Sequence, residues 1–146
     1  MKFSTRPASL GDYDFLWHLR VESMSGNIRD AFGAWDEEHA KTKFDASYEA
    51  DLMTIIQVEG VDCGMFKVEE RPSETFLARI EILPIYQSRG LGSAVIIELL
   101  STTRHKPVTL QVFKTNRARH LYRRLGFEIT GETETHYQMK AEQAAS

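Results

Sequence analysis

The residues best suited to do chemistry in this chain are Gln87, Ser88, Arg89, Gly90, Leu91, Gly92 and Ser93, a run with two glycines in Gly-x-Gly spacing. They stand between an apolar segment that ends at Pro84 and a strongly apolar segment that begins at Leu91. Read as a strand entering a helix, this spacing puts glycine where first-turn N–H groups have no partner inside the helix. The helix dipole is positive there, and glycines remove side chains that would keep an anion at a distance. Arg89 adds a full positive charge. The arrangement suits a phosphate-bearing ligand, and by itself it also suits a plain glycine-rich helix entry. It is not a dinucleotide fingerprint, which needs a third glycine, nor a Walker loop, which needs Gly-Lys-Ser/Thr.

A second run, residues 110–127, feeds a strand into another helix. Asn116 stands at a cap position and Gly126 at the C-terminal stop. Ala118, Leu121, Tyr122 and Leu125 share one face at helical spacing.

Together the two runs resemble the GNAT acetyltransferase superfamily. Gln87, Gly90 and Gly92 meet its glutamine/arginine-x-x-glycine-x-glycine/alanine signature. Asn116, Ala118, Leu121-Tyr122 and Gly126-Phe127 meet its downstream pattern, in the right order and separation. The resemblance implies acetyl-CoA as cosubstrate and direct acetyl transfer to a primary amine of a small molecule, peptide or protein. It implies that backbone groups around Ile82 and Leu83 meet the pantetheine arm, completed by Asn116. The groups of residues 88–93 would meet the pyrophosphate, with Arg89 as a supplement. Tyr122 matches the family tyrosine that serves as general acid. Glu81, on the strand bordering the acetyl group, is the expected base, with pairing to Arg79 or to a neighbouring strand as the alternative.

That chemistry has a definite energetic demand. A lysine-like ammonium has a pKa of about 10.4, so near pH 7.4 only about one amine in a thousand is neutral. The handicap is about 4 kcal/mol, enough for a base or a desolvating pocket to matter. The departing thiolate, of pKa about 8.5, needs a proton or a hydrogen bond, which a tyrosine hydroxyl supplies. An acetyl-CoA-binding regulatory domain without turnover is the alternative from another class, and other acyl-CoA donors stay open.

The elements that must position these residues follow from apolar periodicity. The sequence predicts strands over residues 2–6, 53–57, 63–69, 75–83 and 108–113, and a closing hairpin around Gly131. Helices are predicted over 12–25, 36–48, 89–103 and 116–125, with residues 26–35 an irregular connection. Apolar residues nearly encircle the third helix, so it should pack on more than one side. The order β-α-α-β-β-β-α-β-α-β-β implies a single α+β domain over residues 1–146, a mixed sheet with helices on both faces. The resemblance adds a splay between the strands ending near Leu83 and Phe113.

With 146 residues, 42% hydrophobic and 27% charged, the chain has the composition of a soluble globular domain. A net charge of -3 gives no reason to expect nucleic acid as partner. No apolar run reaches membrane-spanning length and no signal-peptide core opens the chain, so a cytoplasmic location is expected. Cys63, the lone cysteine, reads as strand packing rather than as a nucleophile. The five histidines show no zinc spacing, so no metal is expected. Lys114, Arg117, Arg119, Arg123 and Arg124 form a basic cluster beside the expected phosphate site. Residues 35–38, Trp-Asp-Glu-Glu, open the second helix, which the resemblance places on the acceptor side; there they either favour a cationic amine or only pack and cap. His136 and Tyr137, in the closing hairpin, are further candidates to line an acceptor pocket. Homodimers are common in such a family, but no segment here specifies an interface.

Overall fold

The computed structural model describes residues 2–103 and 105–143. Its strands form where apolar residues alternate, and successive residues feed different cores. Ile55 of β2 (Met53–Val58) packs with Leu16 and Leu19 of α1 (Tyr13–Phe32) and Phe44 of α2 (Glu37–Ala46). Its neighbour Ile56 packs with Leu91 and Val95 of α3 (Leu91–Thr102) on the opposite face. Met65 and Phe66 of β3 (Val61–Glu70) repeat that division. Helices therefore cover both faces of one sheet.

The sheet has seven strands in the order β1-β2-β3-β4-β5-β7-β6, adding β1 (Ser4–Pro7), β4 (Thr75–Ile82), β5 (Val108–Phe113), β6 (Glu128–Glu132) and β7 (His136–Ala141). With α4 (Ala118–Arg124) before the last hairpin, the element order is the expected one. Every strand pair is antiparallel except β4 with β5.

That parallel pair carries the feature that matters. β4 and β5 are in register at Thr75 with Val108, Phe76 with Thr109 and Leu77 with Leu110, and then part. β4 stays paired to β3 as far as Ile82 opposite Gly64, and β5 stays paired to β7 as far as Phe113 opposite His136. Each strand is thus held from its outer side while the inner edges open. A bulge at Ala78 re-aims the end of β4, because Leu77 stands opposite Val68 while Arg79 stands opposite Lys67. Leu77 consequently joins the core under α3, whereas Glu81 turns to the α1 face and meets Arg20. Gly64 is needed beside it, since a Cβ there would fall 2.6 Å from the Glu81 carbonyl oxygen.

Two expectations need correction. The connection placed at residues 26–35 is helical as far as Phe32: α1 runs through Gly26 and stops at Gly33, whose φ of 85° makes the left-handed cap. One glycine inside a helix costs only about 1 kcal/mol, less than the packing of the turns beyond it returns. Those turns are tied to the end of β5, where Phe32 meets Phe113 edge to face and Thr115 Oγ1 donates to Asn27 O at 3.3 Å. The hairpin turn lies at residues 133–135, where Thr133 N donates to His136 O, and Gly131 instead sits at a bulge in β6. As expected, α3 packs on more than one side. Leu91 and Val95 enter one core and Ile96 another, while Ile97 is exposed.

Candidate active site

The loop between β4 and α3 is shaped by two left-handed residues, Ser88 at φ 62° and Gly90 at φ 84°. Between them they swing the chain sharply into the helix. No side chain caps α3, and Ala94 N donates to Gly90 O at 3.0 Å, which leaves the N–H groups ahead of it outside the helix ladder. Gln87 braces the loop from below, its Nε2 donating to Ile82 O at 2.7 Å. The glutamine of the motif therefore ties the loop to the strand end.

This helix start opens on a cavity of about 840 Å³. Its walls include Ile82, Gln87, Ser88, Gly90, Gly92 and Ser93 on one side and Asn116, Arg117 and Tyr122 on another. The far half of α1, from Glu22 to Asp30, closes it. A second cavity of about 540 Å³ lies against β3, β4, β5 and α1, lined among others by Arg20, Lys67, Arg79 and His136. The two share Met24, Ile80, Glu81, Asn116 and Tyr122 as wall residues. The gap between β4 and β5 is where they meet.

Tyr122 is buried, 6% exposed, with its ring 5.9 Å from that of Phe127. Among the described residues its hydroxyl has no hydrogen bond, and burial pushes its pKa up to about 12. Glu81 is 5% exposed. Its Oε2 accepts from Arg20 Nε at 2.8 Å, and Arg79 NH1 stands 3.8 Å from the same oxygen. Glu81 Oε1 has no hydrogen-bond partner among the described residues. Asn116 Oδ1 caps Ala118 N at 2.9 Å, which leaves its amide N–H groups for a ligand.

Of the donor-site and catalytic residues singled out in the sequence, all but three converge here. Leu83 lies outside both cavity walls and its N–H already donates to Cys63 O at 2.9 Å. Arg89 is exposed outside the walls, and the Leu91 side chain is buried in the core, so only its backbone faces the loop. Of the basic cluster, Arg117 and Arg124 line the first cavity, while Lys114 pairs with Glu132 at 2.6 Å. Trp35 stacks on Trp17 and Asp36 caps α2 through His39 N at 3.1 Å, which accounts for both without a ligand. Cys63 is buried, its Sγ 3.4 Å from Ile56 O, and desolvation raises its pKa. His136 reaches the second cavity, but Tyr137 does not.

Sequence reasoning missed the contribution of α1. Arg20, Met24 and Ile28 all line the second cavity, and Ser23 Oγ is buried without a hydrogen-bond partner among the described residues. The 20-24-28 spacing was the available signal, since steps of four share a helix face. Ending the helix at Ser25 concealed it.

Residues 49–129 match the sequence model of the acetyltransferase (GNAT) domain. The chain belongs to the GNAT acetyltransferase family. Within it, a 5-NmdU N-acetyltransferase of Pseudomonas phage PaMx11 is 36% identical over 92 residues, which is 61% of this chain. The match spans 66% of that protein's length, just under two thirds. Among solved GNAT-like folds, the PaiA N-acetyltransferase of Thermoplasma acidophilum in complex with coenzyme A superposes with a TM-score of 0.79 at 17% identity, covering 97% of this chain and 99% of the other. The ribosomal-protein-S18-alanine N-acetyltransferase of Escherichia coli superposes with a TM-score of 0.71 at 21% identity, covering 99% and 97%. At those identities the superpositions speak for the fold alone, and they agree with a GNAT-like mixed sheet. No helix among the described residues is long and apolar enough to cross a membrane.

Gly90 is the position where this geometry is most easily tested. A Cβ there would meet nothing within 4 Å, so its replacement by alanine costs backbone strain alone. Holding an L-residue in the left-handed region costs about 1–2 kcal/mol. Gly90→Ala should lower the melting temperature by a few degrees and weaken CoA binding more than this strain explains, as read by melting with and without CoA. An unchanged CoA-induced stabilisation would remove the loop from the binding site.

Proposed function

We propose that this GNAT-family domain transfers the acetyl group of acetyl-CoA directly to a primary amine. The observation that carries the reading is the pair of cavities joined at the β4–β5 gap by Glu81, Asn116 and Tyr122. A domain that only sensed acetyl-CoA would need the first cavity and not the second. The amide-forming activity in the phage relative's name supports an amine acceptor. The donor's phosphates take the α3 start, its pantetheine arm runs along the open edge of β4, and its thioester reaches the gap. Contacts from Ile82 and Asn116 to that arm, and from residues 88–93 to the pyrophosphate, belong to this reading.

In the reaction the amine lone pair attacks the thioester carbonyl, the C–N bond forms and the C–S bond breaks. Its electron pair leaves on sulfur, and the nitrogen gives up a proton. Tyr122 holds its proton at every physiological pH, because its pKa is pushed up to about 12. Full transfer to a thiolate of pKa about 8.5 runs uphill by about 5 kcal/mol, so the hydroxyl works chiefly by hydrogen bonding to the sulfur as charge develops. Glu81 receives the amine's proton on Oε1, directly or through water, while Oε2 stays on Arg20. Proton uptake at Oε2 would instead break a 2.8 Å charge-assisted bond.

Thiol release from acetyl-CoA over a panel of small amines, peptides and proteins, including 5-NmdU, with mass-spectrometric detection of the product, tests the activity. Acetylated product is expected. CoA binding without release across the whole panel would favour a regulatory domain. Tyr122→Phe keeps the packing against Phe127 and should lower kcat about 100-fold with little change in KM for acetyl-CoA; unaltered turnover would sink its role. Glu81→Gln should lower kcat about 100-fold in the folded variant with little change in KM for acetyl-CoA, and unchanged turnover would transfer the base role to solvent.

A further inference from the structure

The second cavity holds a charge that the protein leaves unmatched. Two guanidinium groups converge on one oxygen, Glu81 Oε2, with Arg20 Nε at 2.8 Å and Arg79 NH1 at 3.8 Å. The first separation is a hydrogen bond and the second is too long to be one. Among the described residues the Arg79 guanidinium donates no hydrogen bond, although it carries five N–H groups. Its side chain is 31% exposed, open to the cavity yet largely withdrawn from bulk water. Desolvation and the like charge of Arg20 both work against its charged form, and the distant Glu81 only partly offsets them.

The remaining charges in that wall are already committed. Lys67, almost wholly buried, donates to Glu49 Oε1 at 2.7 Å. Glu69 accepts from Arg71 at 3.1 Å. Burial lowers the pKa of His136 below its ordinary value, so near pH 7 it adds no charge to the wall. Each carboxylate has a nearer cation than Arg79, and the surplus at the centre of the wall is positive.

We propose that the acceptor carries an anionic group besides its amine, a carboxylate or a phosphate, and that this group docks on Arg79. The inference rests on the acetyltransferase reading and names the substrate class of the same site. A bound anion would supply the hydrogen-bonded partner that Arg79 lacks and relieve its repulsion with Arg20. Glu81 Oε1, on the same strand two residues on, would then face the amine end. The acceptor is thereby selected by two opposite charges, and arginine's planar fork suits either a carboxylate or a phosphate.

The test compares matched primary amines: O-phosphoethanolamine with ethanolamine, and 5-aminovalerate with pentylamine. Steady-state KM values are measured for wild type, Arg79→Gln and Arg79→Lys, alongside calorimetric binding of the same amines to the CoA-saturated protein. Wild type should favour the anionic member of at least one pair by about 10- to 100-fold in KM and Kd. Arg79→Gln should bring that ratio close to one with KM for acetyl-CoA little changed, and Arg79→Lys should restore part of it. Preference for the phosphate pair or the carboxylate pair identifies the anion. Equal KM values within both pairs in wild type would overturn the proposal while leaving the acetyltransferase reading intact, and that comparison needs no variant to fold. Arg79-dependent binding of an anionic amine without thiol release would do the reverse.

Discussion

The structure depends on one constraint, the forced parting of β4 and β5 after Leu77 and Leu110. Parallel strands that begin in register ordinarily continue in register, because every unpaired backbone group left in an interior costs free energy. Here the outer ladders prevent it: β3 grips β4 through Ile82, and β7 grips β5 through Phe113. The backbone groups freed on the inner edges must be satisfied by water or by a ligand that presents amides of its own, and the pantetheine arm has them. The same parting joins the two cavities, whose shared wall residues include Glu81, Asn116 and Tyr122.

The Ala78 bulge turns this backbone opening into an electrostatic device. Without the extra residue, Leu77, Arg79 and Glu81 would share one face under ordinary strand alternation. With it, the apolar residue stays in the core under α3 while Glu81 faces α1. A buried carboxylate needs a partner, and Arg20 supplies it at 2.8 Å. That pair ties α1 to β4 across the mouth of the gap, so the helix lining both cavities is attached to the strand between them. Such a pair contributes little net stability after desolvation, but losing one member would strand a charge. Its value lies in fixing α1.

Much of this fold was legible because the informative signals are local. The boundaries of β5 are legible to the residue, as is the break between β2 and β3, where Glu59 and Gly60 turn the chain at positive φ. Elements failed where a local signal was outweighed by distant packing. Gly26 resembles a helix stop, yet the turns after it are secured by Phe113 and Thr115, far away in sequence. Gly131 resembles a hairpin turn, yet it accommodates Gln138 across a bulge, and the turn is built by threonine hydrogen bonds instead.

The two halves of the site differ in legibility for a physical reason. The α3 start offers backbone groups, and glycine spacing announces that geometry within six residues. The acceptor wall is assembled from side chains on α1, β3, β4, β5 and β7, separated by more than a hundred positions between Arg20 and His136. Nothing in the spacing of Arg20, Lys67, Arg79 and Glu81 foretells which cation takes which carboxylate. That depends on the bulge and on the distances it sets, and only those distances leave Arg79 without a partner of its own. A common donor can be gripped by a local motif shared across a family, whereas acceptor choice is written in how charges are left over once the fold has paired the rest.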